Sequence, residues 1–247
     1  LKEDSGDLLI PGKVEEFLPM LYREGFPRNF NDEVAWLYLM TDDVEMGQLE
    51  LDPEDEANDT RDKNSSDAFN VGEGEEPYKW EREIKSYADN FWERRYGNIL
   101  ACNFDALPEM EYVEADSGNY NFLAAQAYAL RAYNYWCLVN SYALPWSKEN
   151  LDKPGVIIRM EPQINISPRG RSSIREVYDL INEDIEKAEK YINIATFDGN
   201  IHRLSEPAIL LLASRIALFQ ENWDEVIRTG KLFLAQNSVI LNLNDQD

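Results

Sequence analysis

The segment Asn119–Trp146, NYNFLAAQAYALRAYNYWCLVNSYALPW, limits what this chain can fold into more than any other. Turn-forming residues precede it at 116–118 and Pro145 closes it, as is typical of the two ends of a helix. Its apolar residues surround the helix instead of forming one stripe, and such a helix is enclosed by other helices. No uninterrupted apolar run reaches the ~18 residues of a membrane span. We therefore interpret the segment as the central helix of a helical domain.

Four further segments show helical periodicity. Ser172 or Ser173 caps one of them, and Glu176 completes a capping box with Ser173. Pro207 lies in the first turn of another, where proline is tolerated. The last helix opens on NWDEVI, a degenerate form of a tetratricopeptide-repeat turn. We predict a mainly all-α fold, a tetratricopeptide-like helical array with irregular loops. The predicted helices span 85–106, 119–142, 173–192, 206–220 and 223–235.

Helical periodicity also assigns side chains to the core. The aromatic residues assigned in this way are Trp92, Tyr96, Tyr128 and Trp223. Arg131 lies between apolar neighbours in the central helix, and an unpaired buried charge is too costly to persist. We therefore expect Arg131 to have a carboxylate partner.

Outside the helices, Val156–Arg159 is a candidate short strand in a connector that is rich in Pro and Gly. Cys102 and Cys137 have apolar neighbours on helical patterns, so we predict two buried free thiols and no disulfide. No cysteine or histidine spacing typical of a metal site occurs, and the sequence predicts neither a metal site nor a cofactor.

Acidic residues dominate the charge of the chain. Asp and Glu number 47 against 24 Lys and Arg, which gives a formal charge of −23. Such a surface repels phosphate backbones, so we predict no nucleic-acid partner. Residues 50–76 are especially acidic and poor in apolar residues, which is typical of a solvated loop. Calcium binding there is an open alternative, although the ligand pattern of an EF-hand loop is missing.

Motifs of catalysis are missing from the chain. Its one histidine, His202, lies in a turn, and no zinc-protease, nucleophile-elbow, phosphate-loop or dinucleotide pattern occurs. Carboxylate pairs for glycoside hydrolysis are possible in any acidic chain, but no feature singles one out. The sequence therefore favours a binding protein over an enzyme.

Three segments resemble motifs of one protein family. Residues 127–145, AYALRAYNYWCLVNSYALP, are similar to EAxFLRAxxYFxLVxxYGxVP, with Gln126 for the usual Glu, Ala143 for the usual Gly and a spacing one residue shorter before the proline. Residues 92–107 follow WxxxYxxIxxCNxxxL, the pattern of the preceding helix. Residues 171–188, RSSIREVYDLINEDIEKA, are similar to RxSVxEVYxxIxxDLxxA. The chain thus resembles the SusD/RagB family, the surface glycan-binding lipoproteins of Bacteroidetes.

The resemblance implies a SusD-like fold and a function in glycan uptake. Family members capture oligosaccharide or polysaccharide and deliver it to a TonB-dependent, SusC-type transporter at the extracellular face of the outer membrane. They are held there by an N-terminal lipid anchor, which is missing from this chain. Because they are substantially longer, we interpret residues 1–247 as a single N-terminal helical domain that lacks the C-terminal half, either as a natural short form or as a fragment.

Two alternative functions do not depend on the resemblance. The helix pairs alone are compatible with a tetratricopeptide-like scaffold for protein–protein interaction. An acidic hydrolase is the third hypothesis, and no sequence feature supports it.

Sugar-binding sites combine aromatic rings, which stack on the C–H faces of sugars, with a few amides and charges. SusD-like proteins build their sites from irregular segments, so aromatic residues outside the helices are the candidates here. They are Trp36, Tyr38, Tyr78, Trp80 and Trp146, with Asn70 as a polar candidate. Core packing is the alternative role for each. We single out Trp80 and Trp146, and expect a neutral or weakly charged oligosaccharide because the chain is so acidic.

Overall fold

The computed structural model describes residues 21–22, 79, 91–103, 117–161, 167–197 and 199–236. The chain divides into two compact units, one made of Leu1–Gly25 with Arg95–Asp247 and the other of Phe26–Arg94. Nearly all described residues belong to the first unit. The acidic segment 50–76 and its calcium alternative lie outside the described residues, and the single-domain interpretation stays a prediction.

Five helices are described, and the mainly all-α fold class is confirmed. In chain order they are α1 (Phe91–Ala101), α2 (Ser117–Tyr142), α3 (Ile174–Ile192), α4 (Glu206–Phe219) and α5 (Trp223–Gln236). The last four agree with the predicted bounds to within two residues. The first agrees with its predicted span 85–106 over residues 91–101, and a short helical extension follows at 102–103. The remaining residues of that span lie outside the described residues.

The central helix α2 is buried on several sides, as its apolar residues predict. It packs mainly against α3 and also touches α4, while α4 pairs with α5. Five alanines of α2 have no exposed surface, and their small side chains allow the neighbouring backbones to come close. They are Ala124, Ala125, Ala127, Ala129 and Ala132. No helix among the described residues is long and apolar enough to cross a membrane.

A buried ion pair joins α2 to α3 and confirms the expectation for Arg131. Its Nε and Nη2 atoms donate to Asp184 Oδ2 and Oδ1 at 2.7 and 2.6 Å. The Nη1 atom donates to Asn103 Oδ1 at 2.8 Å. The side chains of Arg131 and Asp184 are only 3% and 0% exposed. Because Asp184 approaches with both oxygens, the pair fixes the rotation of α3 about its axis as well as its distance from α2.

Gln126 replaces the glutamate that is usual in the family motif, and it holds two distant segments of the chain together. Its Nε2 atom donates to Leu204 O at 2.8 Å, and its Oε1 atom accepts from Leu204 N at 2.9 Å. The hydroxyl of Tyr22 also donates to Gln126 Oε1. A carboxylate could not make the bond to the Leu204 carbonyl, so the amide suits this position better.

The start of α3 follows the predicted capping box. Ser173 is the N-cap, its hydroxyl accepts from Glu176 N at 3.2 Å, and Ser173 N donates to Glu176 Oε2 at 2.7 Å. The hydrogen bonds from Ser173 lower the pKa of Glu176, because they stabilise the ionised carboxylate. Local signals therefore determine where α3 begins.

The strand prediction for Val156–Arg159 is wrong. The segment has no regular secondary structure. Val156 O accepts from Ser172 N at 2.9 Å, and tyrosines fix the residues that follow. Tyr96 donates to Ile157 O at 2.7 Å, while Tyr135 accepts from Arg159 N and donates to Arg159 O, both at 2.8 Å. Burial raises the pKa of Tyr96 to about 12. The helices thus supply the partners that a sheet would have supplied.

The core assignment of Trp223 is also wrong, since this side chain is 59% exposed. It begins α5, whose one fully buried residue is Thr229. Tyr96, Tyr128 and Trp92 are half-buried, and Tyr128 stacks on Tyr191 with ring centroids 5.8 Å apart. The periodicity of α5 identified residues that share a face, but no described element covers that face.

Cys102 and Cys137 are both thiols outside any disulfide, as predicted, but they differ in burial. Cys102 is buried, whereas Cys137 is only half-buried as a residue. Desolvation of its thiol raises the pKa of Cys137, which keeps the group protonated and unreactive.

Candidate functional site

Trp146 is the one predicted sugar-contacting residue that lies in the described part of the chain. It is half-buried in the loop after α2, and its ring meets that of Tyr178 edge-on, with centroids 4.7 Å apart and planes at 65°. Tyr178 is itself buried on α3, and its hydroxyl donates to Asn140 Oδ1 at 3.2 Å. The Trp146 ring is therefore supported from the core, while part of it stays open to solvent.

The loop that carries Trp146 is fixed at both ends. Asn150 Nδ2 donates to Pro145 O at 3.0 Å, and Arg171 Nη1 donates to Tyr142 O at 3.1 Å. A ring held in this way loses little freedom when a sugar stacks on it, which favours binding. The other candidates lie outside the described residues and stay predictions: Trp36, Tyr38, Asn70, Tyr78 and Trp80.

A second feature, which sequence analysis missed, is a groove of about 540 Å³ between α3, α4 and α5. Its apolar lining comes from Ile185 of α3 and from Ala213, Ile216 and Ala217 of α4. All four are buried residues, and the two alanines leave space that larger side chains would fill. We call this feature the α3–α5 groove.

An ion network connects α3 to α5 along the α3–α5 groove. Arg228 Nη2 donates to Glu189 Oε1 and Oε2 at 2.8 and 2.9 Å and to Glu225 Oε1 at 2.6 Å. Arg228 Nε also donates to Glu225 Oε2 at 2.8 Å. The hydrogen bonds to Glu225 and Glu189 raise the pKa of Arg228. This guanidinium therefore stays charged and bridges the two helices.

Four carboxamides also line the groove: Asn182, Asn193, Gln220 and Asn222. The last two lie in the turn between α4 and α5, where Glu221 has a φ of 56° and Asn222 N donates to Ala217 O at 2.9 Å. Asn222 Oδ1 accepts from Glu225 N at 3.3 Å and so begins α5. The turn that leads into the degenerate repeat motif NWDEVI thus places two amides, Gln220 and Asn222, in the lining of the groove.

The ionisable side chains of the α3–α5 groove are three glutamates, a lysine and an arginine. The residues that line it include no histidine, cysteine, serine or threonine that could act as a nucleophile. His202 lies outside it, exposed in the turn before α4, where its backbone N–H donates to Asn200 Oδ1 at 2.9 Å. Within the described ranges, no group of three or more metal-ligating side chains comes together.

Comparison with known proteins decides the family. A family model described as "Starch-binding associating with outer membrane" matches residues 26–218. The chain belongs to the SusD-like family. The family resemblance of the three sequence motifs is thereby confirmed, and the match extends well beyond them.

Individual relatives of this SusD-like protein agree with the family match. SusD-like protein P38 of Formosa agariphila is 25% identical over 158 residues, which cover 62% of this chain and 27% of that protein. A SusD-like carbohydrate-binding protein from Bacteroides vulgatus has the same fold, with a TM-score of 0.68 and 19% sequence identity. The match covers 95% of this chain and 46% of that protein. A laminarin-binding SusD-like protein has a TM-score of 0.64 and 18% identity, and the match covers 90% of this chain and 43% of that protein. The chain therefore spans less than half the length of these relatives.

Proposed function

We propose that this SusD-like protein captures neutral oligosaccharide or polysaccharide at the cell surface and delivers it to a TonB-dependent, SusC-type transporter. The observation that carries the proposal is the match of residues 26–218 to a family described as starch-binding and associated with the outer membrane. The α3–α5 groove and the supported ring of Trp146 are features suited to binding. We infer that the protein binds glycan without cleaving it.

Localisation and the transporter partner follow from the family and form the second part of the proposal. We propose that an N-terminal lipid holds the intact protein at the extracellular face of the outer membrane. In the native gene, a signal peptide ending in a lipobox cysteine should then lie just upstream of Leu1. An initiator methionine with no signal peptide at that place would contradict the anchor.

Replacing Trp80 or Trp146 by Ala should weaken glycan binding by about tenfold or more, which corresponds to ~1.4 kcal/mol. The reason is that an aromatic ring that stacks on a sugar contributes much of the apolar contact in such a site. Isothermal titration calorimetry against a panel of neutral polysaccharides, with the wild-type protein and each variant, measures the change.

Trp223→Ala is the matched control, because Trp223 is an exposed tryptophan that is not a candidate site residue. It should leave the dissociation constant unchanged. If a polysaccharide binds and the folded Trp80→Ala and Trp146→Ala variants bind it as tightly as the wild type, the sugar site does not include these residues.

A further inference from the structure

We propose that the α3–α5 groove is a glycan-binding subsite, separate from the irregular segments around Trp146, that takes a neutral, hydroxyl-rich sugar unit. This inference rests on the proposed function, since it assumes that the ligand is a glycan. It concerns residues that the sequence analysis did not name as candidates for ligand binding.

The size of the groove suits such a ligand. Its volume of about 540 Å³ lies within the range of small-molecule sites in proteins. Its apolar floor consists of Ile185, Ala213, Ile216 and Ala217, each no more than 6% exposed. A ligand in the groove therefore meets mainly the polar side chains around this floor.

Unused hydrogen-bonding groups surround this apolar surface. The side-chain amides of Asn182, Asn193 and Gln220 make no hydrogen bond to any other described residue. Each amide offers an acceptor oxygen and two donor hydrogens, and each sugar hydroxyl is both a donor and an acceptor. Carboxamides therefore match a ligand made of hydroxyl groups better than one made of charged groups.

The charges of the groove favour a neutral ligand. Its acids are Glu186, Glu189 and Glu225, and its bases are Lys190 and Arg228. Arg228 is already bound by two of these carboxylates, so it is not available to an anionic sugar, and the carboxylates that hold it are equally occupied. The remaining acid and base, Glu186 and Lys190, have opposite charges, so outside this network neither an anion nor a cation meets an excess of opposite charge.

The groove is also prepared in advance of binding. Arg228 ties α5 to α3, and the turn at Glu221 and Asn222 is held by the bond from Asn222 N to Ala217 O. Because Asn182 lies on α3 and Gln220 and Asn222 lie in this fixed turn, little conformational entropy is lost when a ligand binds.

The test compares the wild-type protein with the double variant Asn182→Ala/Gln220→Ala by calorimetry, with laminarihexaose, maltohexaose and cellohexaose as probes. We expect the double variant to bind the best of these sugars about fivefold or more weakly, equivalent to ~1 kcal/mol. Trp223→Ala is the matched control, since Trp223 directly follows Asn222 but does not line the groove. It should bind as the wild type does.

A second measurement does not depend on substitution. In ¹⁵N-edited spectra of the wild-type protein, the side-chain amide signals of Asn182 and Gln220 should shift when the sugar is added. If the folded double variant binds the sugar as tightly as the wild type and the amide signals do not shift, the groove is not a glycan-binding subsite. The proposed function would still stand in that case, because the wild type binds the sugar. Binding of a basic or acidic decapeptide that displaces no sugar, with these amide signals shifting only on addition of the peptide, would also overturn it. If the wild type binds none of the three sugars and no neutral polysaccharide, the proposed function itself fails.

Discussion

Replacing Arg131 by Ala should lower the free energy of unfolding by about 3–5 kcal/mol, because the change leaves Asp184 charged and buried without its partner. Asp184→Ala should cost a similar amount, since the guanidinium is then left unpaired between α2 and α3. Urea denaturation followed by circular dichroism measures both values.

Two comparisons separate this expectation from a general loss of stability. Arg175 and Asp152 form an exposed pair at 3.2 Å, so Arg175→Ala should change the free energy of unfolding by less than about 1 kcal/mol. The double variant Arg131→Met/Asp184→Leu removes both charges together and should recover most of the stability that either single change loses. If Arg131→Ala costs no more than Arg175→Ala, the buried pair does not exist as described.

Replacing Tyr135 by Phe should lower the free energy of unfolding by about 1–3 kcal/mol, the cost of leaving a buried polar group unsatisfied. The tyrosine is completely buried, and its hydroxyl bonds to both the amide and the carbonyl of Arg159. Asn103 Nδ2 also donates to Arg159 O at 2.9 Å, so this carbonyl keeps one hydrogen bond when the Tyr135 hydroxyl is removed. The larger loss falls on the backbone N–H of Arg159, which donates to that hydroxyl. The measurement is again urea denaturation.

Tyr120→Phe is the matched control for Tyr135→Phe. Tyr120 lies on the same helix, and its hydroxyl makes no hydrogen bond to the described residues. Its removal should change the free energy of unfolding by no more than about 0.5 kcal/mol. Equal effects of the two substitutions would show that the connector at 156–159 does not depend on Tyr135.

Much of the helical framework could be predicted because its determinants are local. The capping box of Ser173 and Glu176 depends on residues three positions apart, and it fixes the start of α3. The all-round apolar character of α2 predicted its central position, and the cost of burying a charge predicted a partner for Arg131. The identity of that partner could not be predicted, since Asp184 lies far along the chain.

The candidate site was harder to predict because it depends on how helices pack. Periodicity shows which residues of α5 share a face, but not whether anything covers that face, and Trp223 was wrongly assigned for that reason. Asn182 and Gln220 each look like ordinary surface residues in the sequence. Only the packing of α3 against α4 places them around one groove.

The most direct test of glycan binding without cleavage is electrophoresis of the native protein through gels that contain neutral polysaccharides, followed by an assay for reducing sugar after prolonged incubation with each one. We expect at least one polysaccharide to retard the protein and no reducing sugar to be released. A folded protein that no neutral polysaccharide retards, or release of reducing sugar from a polysaccharide that does retard it, would contradict the proposed function.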